Sequence, residues 1–271
     1  MEERKSSGPN NDISRRLFWS AAFVGLAYWV IFFASPLLYY LVAMFFILMG
    51  LNEYVTMAQN KGFALNRAVI LCLGALAPSA LGIQASSLYI VLVLCFLFLL
   101  NINKEGLSQS LTLAAIAFLG IVWVAWLFSY VIDLRYVTQG PRWVHYAIFV
   151  SKMGDAGAYF IGKNLGKKKF LPHISPNKTW EGALGQLGTS VVASCFSKFY
   201  LGVSLGQLVF LGCVLGIFAQ IGDLVESMVK RNFEVKDSGT IPGLGGFLDI
   251  MDSMLFAIPI VYGYVTHLAL S

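Results

Sequence analysis

Five acids in the second half of the chain sit where acids are costly. Asp155, Asp223, Glu226, Asp249 and Asp252 fall in or at the ends of long apolar runs, where a charged side chain costs about 2.5–3.5 kcal/mol on insertion scales. Asp249 and Asp252 are spaced i, i+3, as are Asp223 and Glu226, so on helices each pair shares a face. Four carboxylates on two consecutive helices could converge on one point. Clustered without a cation they would repel one another or take up protons. Hard oxygen ligands of this kind suit Mg2+, and the residues leave open whether a second metal or a monovalent cation joins it. The plainer alternative is that each acid pairs with a neighbouring lysine or arginine.

Two polar stretches accompany these acids. The first, 162–182, contains Ser175-Pro-Asn177-Lys178-Thr179-Trp-Glu-Gly182. The second runs Lys230-Arg231-Asn-Phe-Glu-Val-Lys236-Asp237-Ser238-Gly239, then Pro242-Gly243-Leu244-Gly245-Gly246. Both mix cations, hydroxyls, amides and glycines. Lysine and arginine neutralise phosphate, and glycines let backbone N–H groups approach an anion. Acids for a metal beside cations for phosphate is what phosphoryl-transfer chemistry needs. For Lys167, Lys168 and Lys169, attraction to anionic head groups is the simpler account. Gly157 to Asn164 looks like a phosphate-binding P-loop, but Asn164 stands where a Ser or Thr would hold the metal. His145, His173 and His267 are scattered, and the four cysteines lie in apolar runs without metal-ligand spacing.

The elements that must position these residues are membrane helices. Apolar residues make up 58% of the 271 and charged residues 12%, too little polar surface for a water-facing globule of this size. Candidate spans run 17–34, 36–57, 66–83, 86–101, 108–131, 141–162, 182–200, 206–228 and 249–269, about nine, predicting an all-α, polytopic integral membrane protein. Most of the 19 lysines and arginines then fall on one side, with Arg135 and Arg142 opposite, which puts the N-terminus in the cytoplasm. The net charge of +5 reflects this bias and predicts no nucleic-acid partner. Residues 1–135 read as transmembrane scaffold, with Glu53 the main intramembrane exception. Residues 136–271 read as a catalytic transmembrane region with cytoplasmic polar loops. Glycine-rich helices such as 202–222 are suited to packing against a second copy, so a homodimer is one expectation.

At these residues the sequence resembles the phosphatidate cytidylyltransferases, also called CDP-diacylglycerol synthases. The likeness lies in Ser227, Lys230-Arg231, Lys236-Asp237, Gly245-Gly246, Asp249 and Asp252. It extends to Gly154-Asp155 through Gly162-Lys163, to Ser175 through Gly182, and to Gln220-Ile-Gly222-Asp223. It covers roughly residues 140–255. Two positions depart from the commonest family form, which has His at Leu244 and Arg at Ile250; the histidine therefore cannot be an essential acid or base here. The resemblance implies transfer of the cytidylyl group of CTP to phosphatidic acid, giving CDP-diacylglycerol and pyrophosphate, at a site facing the cytoplasm in the inner (cytoplasmic) membrane. In that reading Asp223, Asp249 and Asp252 hold Mg2+, with Glu226 and Asp155 as second choices. Lys178, Lys230, Arg231 and Lys236 contact phosphates, supported by Ser175, Asn177 and Thr179, and Lys236 with Asp237 is alternatively a positioning pair. Rival readings are a CTP-dependent enzyme acting on an ether lipid or polyprenol, and an ion-coupled transporter.

Overall fold

The computed structural model describes residues 24–80, 83–102, 106–239 and 245–267. Each of the nine expected segments carries helix within these residues. Helix α1 (Val24–Phe33) leads through Ser35 into α2 (Pro36–Asn60). The Ser35 side chain accepts from the Leu38 N–H, and Pro36 takes the first helical position, where its missing N–H costs nothing. Helices α3 (Arg67–Leu76) and α4 (Ile83–Asn101) follow. Then α5 (Leu107–Gly120), a wide π-helical turn over Ile121–Trp126, and α6 (Leu127–Tyr136) run on as one rod. After it come α7 (Gly140–Leu165), α8 (Trp180–Phe196), the short α9 (Lys198–Leu201), α10 (Leu205–Asn232) and α11 (Phe247–His267).

Among the described residues, four helices are long and apolar enough to cross a bilayer: Pro36–Asn60, Ser108–Tyr136, Leu205–Asn232 and Phe247–His267. Helices α1, α3 and α4 offer shorter apolar stretches, and α7, though 26 residues long, carries Arg142, Lys152, Asp155 and Lys163. The 17–34 segment lies partly outside the described residues, as do the basic residues before it.

The polar stretch 162–182 is not loop throughout. Strands β1 (Lys169–Leu171) and β2 (Ser175–Thr179) pair antiparallel, Lys169 opposite Thr179 and Leu171 opposite Ser175. The turn between them closes with the Ile174 N–H donating to the Leu171 carbonyl at 3.1 Å, and Pro172 sits at the turn position its fixed φ favours. The hairpin is tied to α8 by Glu181, which accepts from the N–H groups of Lys167 and Lys168 at 3.0 and 3.2 Å. Its own N–H and those two amides hold the Glu181 carboxyl below its usual range.

Packing brings the late helices together. One continuous buried cluster runs from Ile31 to Val265, so early and late helices share a core. Helix α11 packs against α2, α6, α7 and α10. It buries Leu248, Met251, Leu255, Ile258 and Val261 completely. Helices α7 and α8 meet along small residues, where a Cβ on Gly157 would collide with Thr189. Helices α10 and α11 meet at Gly222, where a Cβ would collide with the Asp252 carbonyl. That contact sets Asp223 beside Asp252.

Candidate active site

The polar residues of α7, α10 and α11 form one connected belt. At one end Asp155 on α7 accepts from Ser253 Oγ at 2.8 Å and from Gln186 Nε2 at 3.3 Å. Lys152, one turn earlier, points its Nζ at Asp155 (3.2 Å), Asp252 (3.5 Å) and Ser253 Oγ (3.0 Å). At the centre, Asp223, Glu226 and Asp252 each offer a carboxylate oxygen, all within 4.8 Å of one another. Lys178, carried on β2, pairs with Asp223 at 2.7 Å. At the other end Lys230 bridges Glu226 and Asp249, 2.6 Å from each.

The sequence-derived residues thus separate into groups. Asp223, Glu226 and Asp252 come together. Asp249 lies outside that trio: its Oδ1 takes Lys230, and its Oδ2 accepts from the N–H groups of Gly246 (2.7 Å) and Ser238 (3.1 Å). Asp249 is in the first turn of α11, where loose N–H groups and the helix dipole favour an acid. Asp155 joins through Lys152. Asn177, Lys178 and Thr179 line a polar cleft of about 480 Å³ with Asp155, Lys163, Gln186 and Asp223. Thr179 also accepts from the Gly182 N–H at 3.1 Å, capping α8. Ser175 sits at the far end of β2, opposite Leu171. Arg231 is exposed, its Nε donating to the Ile174 carbonyl (3.3 Å) and its Nη1 to the Val235 carbonyl (3.2 Å), so it fastens the hairpin turn to the end of α10. Lys236 and Asp237 are exposed beyond α10. Leu244 lies outside the described residues. Ile250 faces an apolar groove with Met254, Tyr39, Phe46, Phe128 and Val144, surroundings in which an arginine would be out of place.

Sequence reasoning assigned no role to Lys152, Gln186 and Ser253 of the belt, nor to Glu53 on α2. Lys152 is spaced i, i+3 from Asp155, a signal present in the sequence; the reach of Lys152 to Asp252 is tertiary. Glu53 is an acid inside an apolar span.

The trio fits a divalent cation on two counts. Glu226 is 1% exposed, and while its Oε2 meets Lys230, its Oε1 is buried with no hydrogen-bond partner among the described residues. A buried carboxylate oxygen left bare carries a large desolvation cost. The charges also fail to balance. With all groups ionised, the five carboxylates of Asp155, Asp223, Glu226, Asp249 and Asp252 face the three ammoniums of Lys152, Lys178 and Lys230, leaving a formal charge of −2. An all-oxygen donor set with two excess negative charges matches Mg2+.

The chain matches the model of the Cytidylyltransferase family over residues 14–268, and it belongs to that family. Among curated relatives, the phosphatidate cytidylyltransferase of Bacillus subtilis (strain 168) is 43% identical over 148 residues, 53% of this chain and 55% of the relative. The enzyme of that name from Staphylococcus aureus (strain COL) is 37% identical over 173 residues, 63% of this chain and 64% of the relative. That from Staphylococcus haemolyticus (strain JCSC1435) is 41% identical over 151 residues, 55% and 57%. The matched stretches therefore span between about half and two thirds of the relatives' length.

Proposed function

We propose that the protein transfers the cytidylyl group of CTP to phosphatidic acid, releasing pyrophosphate and leaving CDP-diacylglycerol in the membrane. The observation that carries this reading is the Asp223–Glu226–Asp252 trio on two helices of bilayer-crossing length, flanked by Lys152, Lys178 and Lys230. Family membership and the activity named for the relatives point the same way.

In this reading Asp223, Glu226 and Asp252 hold Mg2+. When bound, the ion supplies positive charge to the phosphates and to the leaving pyrophosphate. The remaining work belongs to the protein's own groups. The polar cleft beside Lys163, Asn177 and Lys178 receives the triphosphate, and Lys178 meets its charge directly. An oxygen of the lipid phosphate attacks the α-phosphorus of CTP while the bond to the bridging oxygen of the β-phosphate breaks. A phosphate monoester is already ionised near neutral pH, so no strong base is required. The task is to hold two polyanions in line and meet the charge that develops. Lys152 and Lys230 are held in place by carboxylates on both sides and bring fixed ammoniums to that point. Asp249 fixes Lys230 and accepts from the N–H groups of Ser238 and Gly246 just ahead of α11.

The acyl chains are assigned to the groove of about 280 Å³ lined by Tyr39, Phe46, Phe128, Val144, Ile250 and Met254. Helix α11 separates this groove from the acids, Ile250 and Met254 on one side and Asp252 on another. The same reading makes the chain a multi-pass protein of the cytoplasmic membrane, with the N-terminus and the polar loops on the cytoplasmic side, as the basic residues direct.

The position of label in CTP tests the reaction. Purified protein in detergent, given phosphatidic acid, Mg2+ and CTP labelled at the α-phosphate, is expected to place label in an organic-soluble lipid. With the label at the γ-phosphate, it should stay in the water phase as pyrophosphate. Lipid labelled only from the γ position would mean a CTP-dependent lipid kinase instead. No lipid product with phosphatidic acid, but product with an ether lipid or polyprenol acceptor, would move the substrate assignment.

A further inference from the structure

Helix α11, which carries Asp249 and Asp252, begins without a capping side chain of its own. The residue before its first turn is Gly246, which has no side chain to accept from the free N–H groups of Phe247 and Leu248. Asp249 reaches back to the Gly246 N–H at 2.7 Å, which is half of a capping box. The other half comes from a different helix, far away in sequence. Glu53 on α2 accepts from the Phe247 N–H through Oε1 and from the Leu248 N–H through Oε2, each at 2.9 Å.

The same carboxylate holds the chain on the near side of α11. The Ser238 hydroxyl lies 2.9 Å from Glu53 Oε2 and 3.1 Å from Asp249 Oδ2, shared between the two. Glycines close the space around it: a Cβ on Gly239 or Gly246 would press on the Glu53 carboxylate. Helix α2 grips this segment a second time further along. Lys61 pairs with Glu234, and Phe233 packs edge-on against Tyr54 and Phe63.

We infer that Glu53 is a positioning residue of the active site, a cap supplied by α2 that fixes the start and rotation of α11 and so the direction of Asp249 and Asp252. The inference rests on the transferase reading for its effect on turnover, but not for its effect on the helix end. Glu53 touches no reacting atom. Its two oxygens hold the first turn of α11, and Asp252 follows one turn later on the same helix. Loss of the cap would let that turn fray, release Ser238 and unlock Asp249 from Lys230.

Glu53→Gln keeps the shape of the side chain but replaces one acceptor oxygen by a donor. Hydrogen exchange on the purified, monodisperse variant is expected to speed up about tenfold or more at Phe247 and Leu248, with helices α7 and α8 unchanged. Turnover should fall about tenfold in kcat, while KM for CTP shifts less than about threefold, because the cleft around Asn177 and Lys178 lies on other elements. Glu53→Asp, which keeps the charge and shortens the reach, should recover part of kcat. Unchanged exchange at Phe247 and Leu248 would overturn the cap. Raised exchange with kcat within about twofold of wild type would overturn the positioning role. A wild-type protein that makes no lipid product would sink the transferase reading, and the exchange result would still decide the cap. Should Glu53→Gln fail to purify, Ser238→Ala removes one of the three donors and is read in the same way with a smaller effect.

Discussion

Glu226 is the residue on which the metal assignment turns. It is the most buried acid of the belt, and one of its oxygens has no hydrogen-bond partner among the described residues. A ligand that binds the folded protein raises its stability by mass action, so Mg2+ should raise the unfolding temperature of the wild type. Glu226→Gln should lose most of that rise and need about tenfold more Mg2+ for half-maximal turnover. Equal Mg2+ shifts in both proteins would remove Glu226 from the site. The acids themselves were legible in the sequence because each stands out from an apolar run. Their division of labour was not. The i, i+3 spacing of Asp249 and Asp252 suggested equal partners, yet one turns to Lys230 and the amides of Ser238 and Gly246 ahead of α11 and the other to Asp223 and Glu226. Helix spacing gives a common face but says nothing of where a helix begins, and a carboxylate in the first turn is drawn to the free amides there.

Among the elements, the crossing of α10 and α11 matters most. Gly222 lets the two helices touch through backbone, and any side chain there meets the Asp252 carbonyl and the Phe256 ring. Gly222→Val should push the helices apart, cost about 1–3 kcal/mol of stability and reduce turnover far more than Gly188→Ala, a position with open space around it. Equal loss from both would mean that close approach does not set the site. The apolar runs made the long helices legible, since a long apolar segment in a membrane has little choice but to satisfy its backbone within itself, though the run 182–200 is broken into α8 and the short α9. The hairpin was not legible. Its strands are three and five residues long and polar, with Pro172 and Pro176 between and within them, and such short pairing is decided by what it packs on. Here that is α8, through the cap at Thr179 and the Glu181 carboxylate.

At the scale of the whole molecule, helix α7 lines both the apolar groove, through Val144 and Ile148, and the polar cleft, through Asp155, Ala158 and Tyr159. That arrangement suits a reaction whose one substrate is a lipid and whose other is a water-soluble triphosphate. The division of the chain into an early scaffold and a late catalytic region follows the placement of most acids and lysines. It leaves out the reach of Glu53 from α2 and of Lys61 at its C-cap, because contacts between residues 195 and 173 positions apart leave no local pattern to read. In the proposed function the trio on α10 and α11 serves cytidylyl transfer by holding the metal. The most direct test is incorporation of α-labelled CTP into lipid by purified wild-type protein and by Asp252→Asn, measured side by side at saturating Mg2+ and equal monodispersity. The wild type should form labelled lipid that disappears with a chelator, and Asp252→Asn should retain less than about one hundredth of that rate. A variant that turns over near the wild-type rate would contradict the account.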